Sequence, residues 1–289
     1  MKDPIYVLFG CKGLIGTGIF VKLCETIPDF RIFSFEHAHI DVSNKQQVKE
    51  ILDFIQPTVV INAAGVSNPE LCQQAVSGAF ETNAVAPKYL AELCSEIKAK
   101  LVHFSSHAVF DGSRFAPYSE RCRPNPINEL GKSKANGEHE IRKVWSDHLI
   151  IRPGWAFSAD GPNIVPEWID RMDKGLSITV PANIHGSPIF VPDLADAVLD
   201  LIDRDAKGTF HIANSNAATW ESFAEAVIIL TKGKAQVRPM SPLVQSKLPP
   251  MPRYSVLSCK KYAALTGVEL RPWPSALKQC LFQMERYKP

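Results

Sequence analysis

The sequence places a glycine-rich turn, Gly10-Cys11-Lys12-Gly13-Leu14-Ile15-Gly16, directly after its first short apolar segment. That segment, Ile5–Phe9, has the length of a strand, and an amphipathic stretch of helix length begins at Leu14. Glycines at this spacing permit a tight turn, and the helix N-terminus offers free N–H groups and a positive dipole end. We therefore expect a dinucleotide pyrophosphate to bind at Gly10, Lys12, Gly13, Leu14, Ile15 and Gly16. The alternative is a glycine-rich turn without function, and the strand, loop and helix order argues against it.

The ends of the next two strand-like segments predict the rest of the cofactor site. Glu36 follows the second segment, where an acid meets the adenosine ribose and favours NAD, whereas an arginine would favour NADP. Asp41 and Val42 are placed to reach the adenine edge, and Asp41 is equally well explained as an acid before the next helix. Small residues after the third segment let the backbone pass close to the cofactor, at Ala63, Ala64 and Gly65. The cofactor is expected to be NAD or NADP.

Apolar runs of strand length alternate with amphipathic stretches of helix length in the first half of the chain. The runs are Ile5–Phe9, Arg31–Phe35, Thr58–Ile61, Leu101–Phe104 and Leu149–Ile151. The helical stretches are Leu14–Thr26, Lys45–Phe54, Ala79–Lys98 and Asn128–Trp145. This order predicts right-handed βαβ units and a parallel sheet covered by helices. The predicted fold class is α/β, a Rossmann-type doubly wound parallel sheet with a smaller C-terminal substrate-binding lobe.

Prolines and glycines break this pattern after residue 152. We predict an NAD(P)-binding Rossmann domain over 1–152 and mainly a substrate-binding lobe over 153–289, the two interleaved as one structural unit. Within the second part the sequence predicts a helix over Pro192–Arg204, a strand over Gly208–Ile212 and a helix that opens near Thr219. The proline-rich segment Arg238–Arg253 is predicted to be a surface loop over the front of the molecule.

Bulk composition excludes several classes of protein. The 289 residues are 45% apolar and 21% charged, which is typical of a globular protein. A net charge of +2 without a basic run gives no field for nucleic acid. The seven cysteines have neither CxxC nor Cys/His spacing, so we expect reduced thiols and no metal site. The first apolar segment is too short for a signal peptide or a membrane span, so a cytoplasmic protein without a membrane partner is expected.

Longer motifs resemble the dTDP-4-dehydrorhamnose reductase branch of the extended short-chain dehydrogenases, which also includes the methionine adenosyltransferase regulatory (beta) subunit. The resemblance spans nearly the whole length. It rests on the glycine loop and on the segments Asn62–Gly65, Glu81–Pro87, Phe104–Gly112, Asn125–Glu138, Arg152–Trp155, Gly186–Pro188, Asp193–Asp196 and Arg253–Leu257. It implies a nicotinamide cofactor and adds Asn83 to the residues expected to bind it.

The resemblance also implies a catalytic group with one member missing. In that family a Ser/Thr after the fourth strand, a Tyr, and a Lys four residues after the Tyr act together. The tyrosine gives a proton to the ketone oxygen as hydride arrives, and the lysine lowers the phenol pKa and binds the nicotinamide ribose. Ser106 and Lys134 match this pattern, and Leu130 stands at the tyrosine position. A leucine has no proton to give, so about 10²–10⁴-fold of rate is at stake.

Three hypotheses follow from the missing tyrosine. A replacement acid is the first, with His107 ahead of Tyr118, because a histidine has the more suitable pKa. The second is a catalytically inactive cofactor-binding or regulatory subunit, similar to the beta subunit. The third is a reaction that needs no phenol. Retention of Ser106, Lys134 and the three loop glycines implies nicotinamide binding under each of them.

On the substrate side, the resemblance implies a nucleotide-linked keto sugar and a role in polysaccharide metabolism. Val109, Trp155 and Arg253 are assigned to the substrate, with Trp155 stacking on a base and Arg253 pairing with a diphosphate. Core packing is the alternative for Trp155. Ala108 departs from the tyrosine that the family often carries, so a related sugar nucleotide or a non-sugar ligand fits better than dTDP-rhamnose. A homodimer is a further expectation, and the other four tryptophans are expected to be packing residues.

Overall fold

The structure is a computed structural model that describes residues 4–287. The strands of this range are, in chain order, β1 (Tyr6–Phe9), β2 (Ile32–Phe35), β3 (Val59–Asn62), β4 (Lys100–Phe104), β5 (His148–Pro153), β6 (Trp155–Phe157), β7 (Ile178–Val180), β8 (His185–Gly186), β9 (Pro188–Phe190), β10 (Gly208–Ile212), β11 (Ala218–Thr219) and β12 (Val237–Pro239).

The α-helices of the same range are α1 (Leu14–Thr26), α2 (Lys45–Ile55), α3 (Pro69–Gln74), α4 (Val76–Phe80), α5 (Ala86–Ile97), α6 (Glu129–Val144), α7 (Ile164–Asp173), α8 (Val191–Asp203), α9 (Trp220–Thr231), α10 (Pro242–Gln245), α11 (Lys260–Thr266) and α12 (Trp273–Gln283). Short 3₁₀ turns cover Asp29–Arg31 and His107–Val109, and a π-helical turn covers Glu81–Val85. Between residues 4 and 287 no helix combines the length and the apolar character that a membrane span requires.

The central sheet has six strands, all parallel, in the order β10-β5-β4-β3-β1-β2. The chain leaves β1 towards β2 on one side and continues from β3 towards β10 on the other. The switch point therefore lies between β1 and β3, where a crevice opens beyond the carboxyl ends of the strands. This architecture confirms the predicted α/β fold class.

Both faces of the sheet are covered, because side chains alternate along each strand. In β1, Tyr6 and Leu8 pack with α1 and α8, whereas Val7 and Phe9 pack with α2, α5 and α6. These layers also include β10 and α8, both of which come from residues after 153.

A separate apolar cluster forms the core of the second part. It joins β6, β7 and β9 with α7, α9 and α12, and its large members include Trp155, Phe157, Trp168, Phe190, Phe223 and Trp273. Three two-stranded pairings, β11 with β8, β12 with β7 and β6 with β9, border this cluster. The lobe lies against the strand ends through β6, which follows β5 after a single residue, Gly154.

Two predicted elements differ from the structure. The helix expected over Ala79–Lys98 contains the π turn, because Pro87 has no N–H to give to the carbonyl four residues earlier, and Ala86 N donates to Glu81 O instead. The loop expected over Arg238–Arg253 is wrong in part. Residues 237–239 pair with β7, and α10 begins at Pro242 behind a Ser241 N-cap.

Candidate active site

The glycine loop between β1 and α1 contains two glycines that the protein itself requires. Gly10 has a φ of +79°, and a Cβ there would lie 2.5 Å from Ala64 N. A Cβ on buried Gly16 would overlap Gly10 O. Gly13 is different: it is exposed, its φ is −72°, and its Cβ would meet only Gly10 O, at 3.4 Å. No packing within the described chain therefore explains the glycine at this position.

Gly13 is the N-cap of α1, and no side-chain hydrogen bond from residues 4–287 caps this helix. The N-terminal N–H groups of a helix without a cap are available to an anion. Leu14 and Ile15, in the first turn, line a cavity of about 420 Å³. The open Gly13 backbone and the uncapped helix end fit a dinucleotide pyrophosphate, as the sequence predicts.

This cavity lies between the strand ends and the second lobe. From the sheet side it is lined by Gly13, Leu14, Ile15, Ala63, Gly65, Ser105, Ser106, His107, Ala108, Leu130 and Lys134. From the lobe it is lined by Gly154, Trp155, Pro162, Asn163, Ile164, Ile184, Trp220, Met251, Pro252 and Ser255. One concave space thus joins the glycine loop to the predicted catalytic residues Ser106, His107 and Lys134 and to one predicted substrate residue, Trp155.

Ser106 and Lys134 reach the cavity from two neighbouring elements. Ser106 follows β4 and caps the 3₁₀ turn, its Oγ accepting from Ala108 N at 3.1 Å, which leaves the hydroxyl proton free to donate. Lys134 lies on α6, and its Nζ donates to Phe104 O at 3.0 Å. Gly131 lets α6 approach the turn closely, because a Cβ there would overlap Ala108 O.

Leu130 lies one turn before Lys134 on the same face of α6 and lines the cavity. Its side chain is 6% exposed and packs with Cys72, Ala79 and Ala108. Leu130, which the resemblance assigns to the tyrosine position, is therefore an apolar side chain with apolar neighbours.

The loop after β3 is fixed against Lys134 by Asn83. The Asn83 amide donates to Val66 O at 2.9 Å and to Ser133 Oγ at 3.0 Å, and its oxygen accepts from Val66 N. A Cβ on Gly65 would lie 2.6 Å from Lys134 Nζ. Asn83 is fully buried and does not line the cavity, so its contacts position the loop and do not reach into the cofactor space.

Burial changes the protonation of both titratable groups in the lining. Desolvation, opposed by the charge of Glu138 and by Cys72, lowers the pKa of Lys134 to about 8. Desolvation lowers the pKa of His107 to about 4, and His107 Nδ1 has no hydrogen-bond partner in the described structure. At neutral pH the lysine is therefore charged and the imidazole is neutral.

A buried ionic network around the Glu138 carboxylate contacts the residue after β4, Ser105. Arg152 Nε and Nη2 donate to the two carboxylate oxygens of Glu138 at 2.7 and 2.6 Å, and Ser105 Oγ donates to the same carboxylate at 2.5 Å. Arg142 adds a further donor at 2.7 Å. Despite desolvation, these donors and charges hold the pKa of Glu138 at about 2. Because Ser105 precedes Ser106, this network fixes the strand end that carries the serine.

Aromatic residues form the lobe side of the cavity. Trp155 stacks on Trp220 with ring centroids 4.1 Å apart, and Gly186 makes room for the Trp155 ring. Trp220 therefore packs as expected, but it also lines the cavity, which was not predicted from the sequence. Arg253 is exposed next to Pro252 at the cavity margin and is not part of the lining. Val109 is fully buried with Phe110 and Tyr118, so the structure places it outside the cavity.

The adenosine-side residues lie beside the glycine loop. Glu36 follows β2, with Lys12 Nζ 3.7 Å and His39 Nε2 3.6 Å from its carboxylate oxygens. Asp41 accepts from the backbone and hydroxyl of Ser43 in the turn before α2, which accounts for its lowered pKa. Val42 is a buried core residue. Asp41 thus has the contacts of a turn residue before a helix.

Tyr118 was the second candidate for a replacement acid, and its hydroxyl points elsewhere. It donates to Asp111 Oδ1 at 2.7 Å, and the ring stacks on Phe110 with centroids 4.2 Å apart. Burial and the Asp111 carboxylate raise the pKa of Tyr118, and the residue does not line the cavity.

One cavity residue that sequence reasoning missed is Asn128. Its oxygen caps α6 by accepting from Gly131 N at 2.8 Å, and its amide donates to Pro250 O at 2.8 Å. An asparagine before a helix is an N-cap signal that the sequence offered. The link to the proline-rich segment has no such local signal. Within residues 4–287 no cluster of three or more His, Cys, Asp or Glu could hold a metal ion.

The fold and this cavity define a dinucleotide-binding protein of the extended short-chain dehydrogenase class. The sequence model of the RmlD substrate binding domain matches residues 5–286, and the chain belongs to this family. It is 28% identical over 283 residues to the dTDP-4-dehydrorhamnose reductase of Streptomyces griseus, covering 96% of this chain and 92% of that protein. It is 27% identical over 274 residues to the spore coat polysaccharide biosynthesis protein SpsK of Bacillus subtilis, covering 94% and 95%.

Solved structures agree with this assignment. The dTDP-4-dehydrorhamnose reductase of Bacillus anthracis, solved in complex with NADP, superimposes with a TM-score of 0.91 at 26% identity and covers 98% of this chain and 100% of that one. The reductase from Clostridium acetobutylicum gives a TM-score of 0.89 at 28% identity, covering 97% and 99%. The family resemblance stated from the motifs is confirmed.

Proposed function

We propose that this protein is an NAD(P)-dependent reductase that acts on the keto group of a nucleotide-linked sugar, with an altered proton-donating group. The observation that carries the proposal is the single cavity that joins the uncapped end of α1 to Ser106 and Lys134 and, across from them, to the Trp155–Trp220 pair. Related proteins named as dTDP-4-dehydrorhamnose reductases over nearly the whole chain support it.

Each part of the cavity has a role in this proposal. The backbone around Gly13, Leu14 and Ile15 binds the pyrophosphate, and Ala63, Ala64 and Gly65 border the nicotinamide half. When bound, the reduced cofactor supplies a hydride to the carbonyl carbon. Ser106 donates its free hydroxyl proton in a hydrogen bond to the carbonyl oxygen.

Lys134 and His107 share the remaining polar contacts of the proposed site. Lys134 holds the nicotinamide ribose and places a positive charge near the carbonyl. Because the His107 ring is neutral at pH 7, we assign it a hydrogen bond to the substrate at the unpartnered Nδ1.

The sugar nucleotide is proposed to lie on the lobe side. Trp155, supported from behind by Trp220, offers a rigid aromatic face for a base or a sugar ring. Arg253, exposed at the margin, is placed to meet a diphosphate as it enters. Ala108 leaves more room beside the sugar than a tyrosine would, which favours a related sugar nucleotide over dTDP-rhamnose.

We propose that the protein accepts both NADH and NADPH. Glu36 is placed to accept hydrogen bonds from a ribose diol, which favours NADH, whereas Lys12 and His39 beside it supply positive charge for a 2′-phosphate. Glu36→Gln is expected to lower the KM for NADPH relative to that for NADH, because it removes the charge that repels the phosphate. An unchanged ratio of the two KM values would show that Glu36 does not face the ribose.

The experiment that tests the main proposal follows the near-ultraviolet absorbance of NADPH with dTDP-linked and UDP-linked 4-keto sugars. Turnover with one of them supports the reductase. Tight cofactor binding without turnover on any of them supports the second candidate, a non-catalytic cofactor-binding subunit, which the apolar Leu130 favours. The homodimer is also a proposal, for which light scattering after size exclusion is the measurement.

A further inference from the structure

The cavity lining contains an unusually small set of proton carriers. Among the lining residues that the structure describes, His107 and Lys134 are the two whose side chains titrate, and no Asp, Glu, Cys, Tyr or Arg joins them. A ketone reduction needs one proton for each hydride, delivered to the oxygen as negative charge develops there. The donor in this protein must therefore be one of these two groups, a serine hydroxyl or solvent.

The Lys134 ammonium is a buried cation without a carboxylate partner in the described structure. It is 5% exposed, and its hydrogen-bond acceptor is the Phe104 carbonyl. An ammonium has three protons, so two remain for other acceptors. Buried charges are normally paired, because an unpaired one carries a large desolvation cost. An oxygen that becomes negative during the reaction is a partner of the right sign for this cation.

The side chain one turn before Lys134 on α6 is apolar and also lines the cavity. Leu130, one turn earlier on α6, packs with Cys72, Ala79 and Ala108, and it is a shorter side chain than a tyrosine and carries no hydroxyl. In a site with a tyrosine the phenol stands between the lysine and the carbonyl. Leu130 and Lys134 line the same cavity, and the leucine offers no hydroxyl, so a carbonyl oxygen bound there would meet the ammonium without a phenol in between.

We infer that Lys134 is the general acid of the reduction and not only a holder of the cofactor, an inference that rests on the proposed function. As the carbonyl carbon gains a hydride, the C=O π pair moves to oxygen, and that oxygen takes a proton from Nζ. The products are the alcohol, the oxidised cofactor and a neutral amine. The amine then regains a proton from water.

The protonation states agree with this assignment. With a pKa of about 8, Lys134 keeps its proton at pH 7 and is a stronger acid than an ordinary lysine. His107, with a pKa of about 4, has already lost its proton. The rate should therefore hold from pH 6 to pH 7 and fall as the pH rises through about 8. A His107 acid, with a pKa of about 4, would instead give a rate that rises as the pH falls from 7 towards 4.

Chemical rescue separates an acid from a mere positive charge. Lys134→Ala is expected to lose about 10²–10⁴-fold in kcat. Small primary ammonium ions should restore part of it, more strongly as the pKa of the amine falls, whereas methylguanidinium, which has the charge but is far too weak an acid to give up a proton, should not. Equal rescue by methylguanidinium, or rescue independent of the amine pKa, overturns the inference. Lys132→Ala, an exposed lysine on the same helix, is the matched control with unchanged kcat.

A second variant and a readout without turnover complete the test. Lys134→Met is one atom shorter than lysine, fills most of the same space and removes the buried charge, so it should fold, and amines should not rescue it. Acylation of Lys134 in the cofactor-free protein, followed against pH by peptide mass spectrometry, should be half-maximal near pH 8, with Lys132 as an internal reference for the reagent. A midpoint above about pH 10, or no labelling at any pH, overturns the inference.

Failure of the proposed function and failure of the lysine acid are distinguishable. If the wild-type protein binds NADPH but reduces no keto sugar nucleotide, the proposed function and the lysine acid fall together. If the wild type turns over and the rescue pattern is that of a charge, the reductase stands and the lysine acid alone is lost.

Discussion

Alanine at Gly13 should separate cofactor binding from folding. The Cβ of Gly13→Ala would meet one protein atom, Gly10 O, at an ordinary 3.4 Å, and the φ of −72° is open to any residue. Loss of a good N-cap residue costs some tenths of a kcal/mol, and the stiffer unfolded chain offsets it. We expect the free energy of unfolding to change by less than about 0.5 kcal/mol.

The effect on the cofactor should be much larger. The new methyl group would stand where the pyrophosphate approaches the backbone and would push it away from the N–H groups of the first turn of α1. Loss of one or two charge-assisted hydrogen bonds, at about 1.5–3 kcal/mol, corresponds to a rise in Kd of roughly 10–100-fold. Calorimetric titration with NADPH, together with urea denaturation, measures both quantities on one protein sample.

Alanine substitutions at two other glycines serve as controls for Gly13→Ala. Gly16→Ala would drive its Cβ into Gly10 O, so it should lose about 1–3 kcal/mol of stability or more. Gly78→Ala, on the exposed part of α4 with no atom within 4 Å of its Cβ, should leave both the Kd and the fold intact. If Gly13→Ala binds NADPH as tightly as the wild type, or unfolds as readily as Gly16→Ala, the placement of the pyrophosphate is refuted.

Three other perturbations have defined outcomes. The folded-state pKa of Glu138, about 2, lies below its unfolded value, so the stability that its carboxylate contributes is present above pH 5 and is lost as the pH falls towards 2. Urea denaturation should therefore show that the free energy of unfolding falls by on the order of 3 kcal/mol over this range. The Glu138→Gln variant should be less stable at pH 7 and should not show this fall. Trp220→Ala should raise the KM for the sugar nucleotide several-fold with little change in kcat, because it removes the ring behind Trp155; an equal fall in kcat would place Trp220 in the chemistry. Leu130→Tyr should raise kcat by about 10–100-fold, and an unchanged kcat in a folded, cofactor-binding variant would show that more than the phenol differs from the family.

Local spacing determined what could be predicted from the sequence. Helix α1 begins and ends at the predicted residues, because its boundary is set by the glycine loop and by the break at Ile27 and Pro28. The five predicted strands of the first half and β10 appear in the sheet, most of them within one or two residues of their predicted ends. These are short apolar runs bounded by polar residues, so the signal for each lies within a few positions.

Residues whose roles depend on distant packing were harder to predict. Val109 and Asn83 belong to the right motifs, yet Val109 packs in the core and Asn83 holds the loop at Val66. Trp220 looks like a packing residue along the chain and reaches the cavity only because β8 and β6 bring Gly186 and Trp155 to it. The pairing strands of the lobe have two or three residues each, too few for a period to be read.

The assignment of a proton donor also depends on packing between distant residues. The resemblance assigns the tyrosine position to Leu130 from the sequence alone, because that position lies four residues before Lys134 on one helix. A proposal for the proton donor needs the structure, because it depends on which side chains share the cavity and which of them hold a proton at pH 7. Tyr118 is close in sequence and commits its hydroxyl to Asp111, while His107 is in the cavity and neutral. Lys134 alone of these three combines a place in the lining with a proton to give, so a test of its chemistry is also a test of whether this family can reduce a ketone without a phenol.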